Sequence, residues 1–149
     1  MNVLDEILDV AEKRASEKNL PFKGELTPRE AFDLLQHDPA TVLVDVRSRA
    51  ELELVGRIPS ASHIEWAFYP GMTPNQAFAE QLQENVDKDL TVIFVCRTGG
   101  RSHNAAVLAQ QLGYSKAYNM LEGFEGEMNS LNQRTQINGW KHAGLPWSN

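Results

Sequence analysis

"LTVIFVCRTGGRSHNAAVLAQQLG", residues 90–113, decides the fold. Its first six residues form an uncharged run rich in β-branched side chains, the composition of a strand buried on both faces. Toward the other end, Ala105, Leu108 and Leu112 recur at helical spacing, and Gly113 stands where a left-handed end cap belongs. Between the two lies "CRTGGR", with the only cysteine of the chain, two arginines and two glycines. A strand feeding a helix through a short loop is the repeating unit of a parallel sheet. In such sheets ligands gather beyond the carboxyl ends of the strands, which is where Cys96 falls.

The same alternation extends outward from this unit. Val3, Leu4, Ile7, Leu8, Ala11 and Ala15 mark an amphipathic helix that Pro21 terminates. Residues 1–19 therefore read as a helical extension and 20–149 as the main domain. The apolar stripe of the extension needs cover, from its own domain or from a second copy of the chain in a homodimer. Thr27-Pro28-Arg29-Glu30 is a capping box that opens a helix reaching about Gln36, and "TVLVDV", residues 41–46, is a buried strand. Ser48-Arg49-Ala50-Glu51 is a second capping box, with Gly56 as an end cap. His63 to Trp66 reads as a short strand, Thr73-Pro74-Asn75-Gln76 as the start of a helix through Phe78, Leu82 and Val86, and Lys116 to Met120 as the last strand. The expected class is α/β, a parallel sheet with helices on both faces.

Composition excludes several functions. The 149 residues carry a net charge of −6 without any basic block, which argues against a nucleic-acid or acidic-membrane partner. No apolar run is long enough for a membrane helix, and the N-terminus lacks the features of a signal peptide. A single cysteine excludes an internal disulfide, so the cytoplasm is the expected compartment. His37, His63, His103 and His142 have no ligand spacing and no second cysteine to join, so neither metal nor cofactor is expected. His103 reads as a solvated surface residue.

The loop has its own physics. The first amides of a helix have no intrahelical partners, and the helix dipole places partial positive charge there. Gly99 and Gly100 let the chain fold back into an anion-binding nest, and Arg97 and Arg101 add full charges. Each effect favours thiolate over thiol at Cys96 and attracts a small anionic substrate. Ser102 reads first as a helix cap. Trp66, Phe68 and Tyr69 are candidates for the pocket mouth, and Trp140 and Trp147 for packing anchors.

Four motifs in order resemble a known family. "CRTGGRS", residues 96–102, resembles the active-site loop of the single-domain rhodaneses, a sulfurtransferase family with a five-stranded parallel α/β fold. "VLVDVR" (42–47), "GRIPSASHI" (56–64) and "GWKHAGLPW" (139–147) resemble its other signatures. The resemblance implies that Cys96 is a nucleophile that takes sulfane sulfur from a donor such as thiosulfate. It then passes the sulfur to cyanide, a cellular thiol or a protein acceptor. It implies further that Arg97, Thr98, Gly99, Gly100, Arg101 and Ser102 form the substrate-binding loop, and that Asp45 and Arg47 brace it. A non-catalytic persulfide carrier would need the same loop.

The chain also departs from the family pattern. Arg57 replaces a histidine, Ser60 a glycine, and Glu122 stands where a glycine pair often begins. An insertion, residues 124–138, follows the last strand and is expected to fold over the Cys96 edge, with Arg134 helping to choose the donor. Phosphatases of the same topology place five residues between cysteine and arginine. Here there are four, closing a smaller ring of amides that suits sulfur better than phosphate.

Overall fold

A computed structural model describes residues 2–149. The elements in chain order are α1 (Val3–Glu17), β1 (Gly24–Leu26), α2 (Pro28–His37), β2 (Thr41–Asp45), α3 (Arg49–Val55) and β3 (Ser62–His63). There follow β4 (Ala67–Phe68), β5 (Thr73–Pro74), α4 (Phe78–Asn85), β6 (Thr91–Val95), α5 (Gly100–Gln111) and β7 (Ala117–Met120). Five strands form one parallel sheet in the order β1-β7-β6-β2-β3. β6 lies at its centre. Because side chains alternate along a strand, Val92 and Phe94 join Val44 and Ala117 against Phe78, Leu82, Ala105 and Ala109 of α4 and α5. Ile93 and Val95 join Leu43, Tyr118 and Met120 on the other face, against Ala11, Ala31 and Leu34 of α1 and α2. Burial on both faces is why residues 90–95 read as an unbroken apolar run rather than an alternating one.

The N-terminal helix docks on its own chain. Asn2 and Asp5 form its capping box, and buried Ala11 and Ala15 face the sheet. Small residues permit close approach: a Cβ on Gly24 would stand 2.8 Å from the Ala11 backbone. Arg14 pairs with Glu30 of α2 (2.6 and 3.1 Å) and donates to the Glu25 carbonyl (2.9 Å).

Several local expectations are corrected. β1 was not anticipated; three residues are too few to show a period, and β1 exists through its register with β7, Gly24 to Tyr118. Thr73 and Pro74 do not open a helix. They pair antiparallel with β4, after which the Asn75 Oδ1 accepts from the Ala77 amide (3.0 Å) and α4 begins at Phe78. An Asx turn thus separates the ribbon from the helix. Of His63–Trp66, only His63 lies in a strand. Ile64 and Trp66 continue the contact by donating to the carbonyls of Asp45 and Val46 (both 3.0 Å). Among the described residues no helix is long and apolar enough to cross a membrane.

Candidate active site

Cys96 is the first residue beyond β6 and is 1% exposed. Its Sγ accepts the Gly99 amide at 3.1 Å and lies 3.3 Å from Ser102 Oγ. Gly99 is the N-cap of α5 and adopts φ +116°, which a residue with a Cβ rarely reaches. That backbone turn is what aims the amide at the sulfur. The first intrahelical bond of α5 runs from the His103 amide to the Gly99 carbonyl (3.1 Å), so the amides of Gly100, Arg101 and Ser102 are its unpaired N-terminal donors. Arg97 and Thr98 are exposed.

Ser102 corrects its expectation. α5 begins at Gly100 with Gly99 as its N-cap, so Ser102 is a buried first-turn residue rather than a cap. Its hydroxyl donates to Asn119 Oδ1 (2.6 Å), and Asn119 Nδ2 donates to the Gly99 carbonyl (3.3 Å). Asn119 of β7 therefore ties together both groups that touch the sulfur. It was missed, although a lone amide in the buried run "AYNM" was the available signal.

Arg101 does not present a free charge. It makes a two-pronged ion pair with Glu51 of α3, at 2.6 and 2.8 Å. Glu51 also accepts the Ser48 amide at 3.0 Å, completing the capping box. Burial opposes ionisation of Glu51. The Arg101 guanidinium and the Ser48 amide outweigh it and hold the carboxyl down at about 2, while the Glu51 carboxylate in turn raises Arg101 against the effect of burial. A carboxyl depressed on folding adds stability that is complete above its unfolded value of 4.5 and drains away as pH falls toward 2. We expect Glu51→Gln to lower urea resistance by up to about 3 kcal/mol at neutral pH. Urea midpoints of the two proteins should converge between pH about 4.5 and 2; a gap that is constant with pH would refute the assignment.

Asp45 and Arg47 sit beneath the loop at the end of β2. Arg47 is fully buried and grips the Asp45 carboxylate through Nε (3.0 and 3.1 Å) and Nη2 (2.7 Å). Its guanidinium lies 4.1 Å from the centroid of the Phe124 ring. Phe124 in turn donates its amide to the Cys96 carbonyl (2.8 Å), and Glu125 donates to the Arg97 carbonyl (3.1 Å). A chain of contacts thus runs from β2 through an aromatic ring to the backbone of Cys96. Gly123 makes this approach feasible, because a Cβ there would collide with the Arg97 carbonyl.

The insertion takes a different course from the one expected. Only its first residues reach the loop, as a backbone buttress. Thr135 and Trp140 donate to Glu125 (2.8 Å) and Gly123 (2.9 Å), which closes the segment on itself. Arg134 is spent within it, donating to the Gly126 carbonyl at 2.9 Å. The cleft beside the loop, about 330 Å³, is lined by Ser48, Glu51, Tyr69, Met72, Arg97 and Arg101, with no residue of the insertion among them. Of the three aromatic candidates for its mouth, Tyr69 alone is there. Trp66 packs edge-on against Phe78 (4.9 Å), and Phe68 faces a neighbouring depression. Trp140 is buried as expected, and Trp147 stacks under Lys141 (3.9 Å). His103 is not simply solvated; its ring meets Phe22 edge-on at 5.1 Å.

Known proteins resemble the chain in both sequence and structure. The sequence profile described as Rhodanese-like domain matches residues 27–129. A protein of Actinobacillus succinogenes named thiosulfate sulfurtransferase GlpE is 34% identical over 122 residues, covering 82% of this chain and 87% of that protein. Its namesake from Haemophilus influenzae is 33% identical, over 72% and 89% of the two chains. The crystal structure of Rv0390 from Mycobacterium tuberculosis superposes with a TM-score of 0.78 at 38% identity, over 85% of this chain and 97% of that one. A match of this extent, with Cys96 cradled between a central strand and a helix N-terminus, establishes that the chain belongs to the rhodanese-like domain family.

Proposed function

We propose that the chain is a sulfurtransferase that carries sulfane sulfur on Cys96 from a donor such as thiosulfate to a thiophilic acceptor. The observation that carries the reading is the Gly99 amide held 3.1 Å from Sγ, beside the unpaired amides of α5. The Cys96 thiolate attacks the outer sulfur of thiosulfate. A sulfur–sulfur bond forms to Sγ, the original one breaks, and its electron pair leaves with sulfite. The persulfide keeps one negative charge, which fixed backbone dipoles stabilise without reorganising. Cyanide or a thiolate then attacks the outer sulfur and the Cys96 thiolate departs. This is covalent, ping-pong catalysis. The names of the Actinobacillus and Haemophilus relatives support the same reaction class.

Incubation with thiosulfate tests the proposal directly. Intact mass should rise by one sulfur atom per chain while one sulfite is released, and cyanide should return the original mass with thiocyanate as product. A mass that does not change would reject it. The small ring carries a separate expectation. With four residues between Cys96 and Arg101, and Arg101 turned to Glu51, aryl phosphate hydrolysis should stay near background. Efficient hydrolysis that depends on Cys96 would favour the phosphatase reading instead.

A further inference from the structure

Beneath the loop, where β6, β7 and α5 meet, a closed circuit of hydrogen bonds begins and ends on the sulfur. The Gly99 amide donates to Sγ at 3.1 Å, and the Gly99 carbonyl accepts Asn119 Nδ2 at 3.3 Å. Asn119 Oδ1 accepts the Ser102 hydroxyl at 2.6 Å, and that hydroxyl oxygen lies 3.3 Å from Sγ. Cys96, Ser102 and Asn119 are all buried, so bulk water does not compete for these partners.

The circuit fixes where each proton points. A carbonyl only accepts, so Asn119 turns its amide nitrogen to Gly99 and its Oδ1 to Ser102. Oδ1 also only accepts, so the 2.6 Å bond uses the one proton of the Ser102 hydroxyl. What Ser102 then offers the sulfur is a lone pair. A lone pair can accept the S–H of the thiol but gives nothing to a thiolate. For the hydroxyl to donate to the thiolate, it must abandon Asn119 Oδ1, a buried acceptor whose loss of a partner offsets the new bond.

We propose that Asn119 is a positioning residue that holds the Ser102 proton away from Cys96, so that loop amides, and not the neighbouring hydroxyl, stabilise the thiolate. The role rests on the sulfur-transfer reading above, in which that thiolate is the attacking group. A thiolate denied one hydrogen bond is more basic and more nucleophilic, so a smaller ionised fraction is exchanged for a more reactive sulfur. The charges around the sulfur lie elsewhere. Arg97 and Arg101 come from the loop and α5, with Arg101 paired to Glu51 of α3. Asp45 and Arg47 at the end of β2 pair with each other, and His63 of β3 meets the Arg47 carbonyl at 2.7 Å. His103 of α5 is turned to Phe22, and β7 brings only the neutral Asn119. Exchanging Asn119 or Ser102 for another neutral residue therefore alters hydrogen bonding and no charge.

The test titrates the thiol through the ultraviolet absorbance of its thiolate, with Cys96→Ala protein subtracted at each pH. Because the chain has one cysteine, the difference reports that residue alone. Four proteins are compared: the parent, Asn119→Leu, Ser102→Ala and the double variant. Asn119→Leu frees the Ser102 proton for the sulfur, so the midpoint should fall by about one to two pH units, the worth of one hydrogen bond to a charged group. Adding Asn119→Leu to Ser102→Ala should move the midpoint by no more than about 0.3 unit, since the proton it would release is gone. Ser102→Ala alone should leave the midpoint in place or lower it, because it removes the acceptor of the thiol proton. A merely structural Asn119 would act the other way: loosening Gly99 weakens the amide at the sulfur and raises the midpoint, with or without Ser102. An unchanged or raised midpoint in Asn119→Leu, or a fall that persists in the double variant, would overturn the assignment. So would a rise in Ser102→Ala, which decides the matter even where Asn119→Leu does not fold. The titration uses no sulfur donor, so a parent and variants that behave as expected, yet gain no sulfur from thiosulfate, would remove only the sulfur-transfer reading.

Discussion

Cys96→Ala protein, given thiosulfate and cyanide, is expected to form thiocyanate at least about a thousandfold more slowly than the parent, at the level of the uncatalysed exchange. The chain has no second thiol to substitute for the first. Removing a nucleophile removes the covalent route itself, so the residual rate reflects only binding of the anion near Gly99 and α5. Unfolding does not explain such a loss. Deleting one buried sulfur costs about 1–2 kcal/mol, short of what a domain of this size needs to unfold. Cys96→Ser sharpens the result, because a hydroxyl can still accept the Gly99 amide yet cannot hold sulfane sulfur. Thiocyanate formation that persists in the alanine variant would place the chemistry elsewhere. A parent that gains one sulfur but turns over no small acceptor would make the chain a persulfide carrier.

What the sequence revealed, and what it hid, divides along the range of the interactions. β6, the loop and α5 are contiguous, so apolar run, glycines and helical spacing all fall within residues 90–113 and predict the position of Cys96 without help from the rest of the chain. The capping boxes of α2 and α3 were legible for the same reason, each being closed over three residues. Glu51 shows where local reading stops. As the acid of a capping box it was visible, but its pairing with Arg101 spans fifty positions and follows only from bringing α3 beside α5. That one contact changes the electrostatics of the site from two free cations to one. Asn119 and Phe124 were hidden in the same way, since a β7 amide and the first residue of an insertion acquire their roles from neighbours in the fold.

The largest stability effect should come from Arg47→Ala. Arg47 is fully buried, and its removal leaves the Asp45 carboxylate, 1% exposed, with only the amide of residue 47 at 3.0 Å as a donor. Breaking one side of a buried pair costs on the order of 3–5 kcal/mol, because a charge remains without its partner. That is a large fraction of the roughly 5–15 kcal/mol that holds a domain folded. Arg47→Lys should rescue little. An ammonium cannot span both carboxylate oxygens or spread over the Phe124 ring as the planar guanidinium does at 4.1 Å. Since Nη1 already has no partner, the pair is imperfectly satisfied even in the parent. Replacing both members, Asp45→Leu with Arg47→Met, should therefore recover a substantial part of the loss. Urea unfolding of the four proteins measures these differences. Sulfur transfer by whatever fraction stays folded reports on the brace itself, because Phe124 holds the Cys96 carbonyl at 2.8 Å. An Arg47→Ala protein within about 1 kcal/mol of the parent would show that the buried pair contributes nothing beyond what a surface ion pair does.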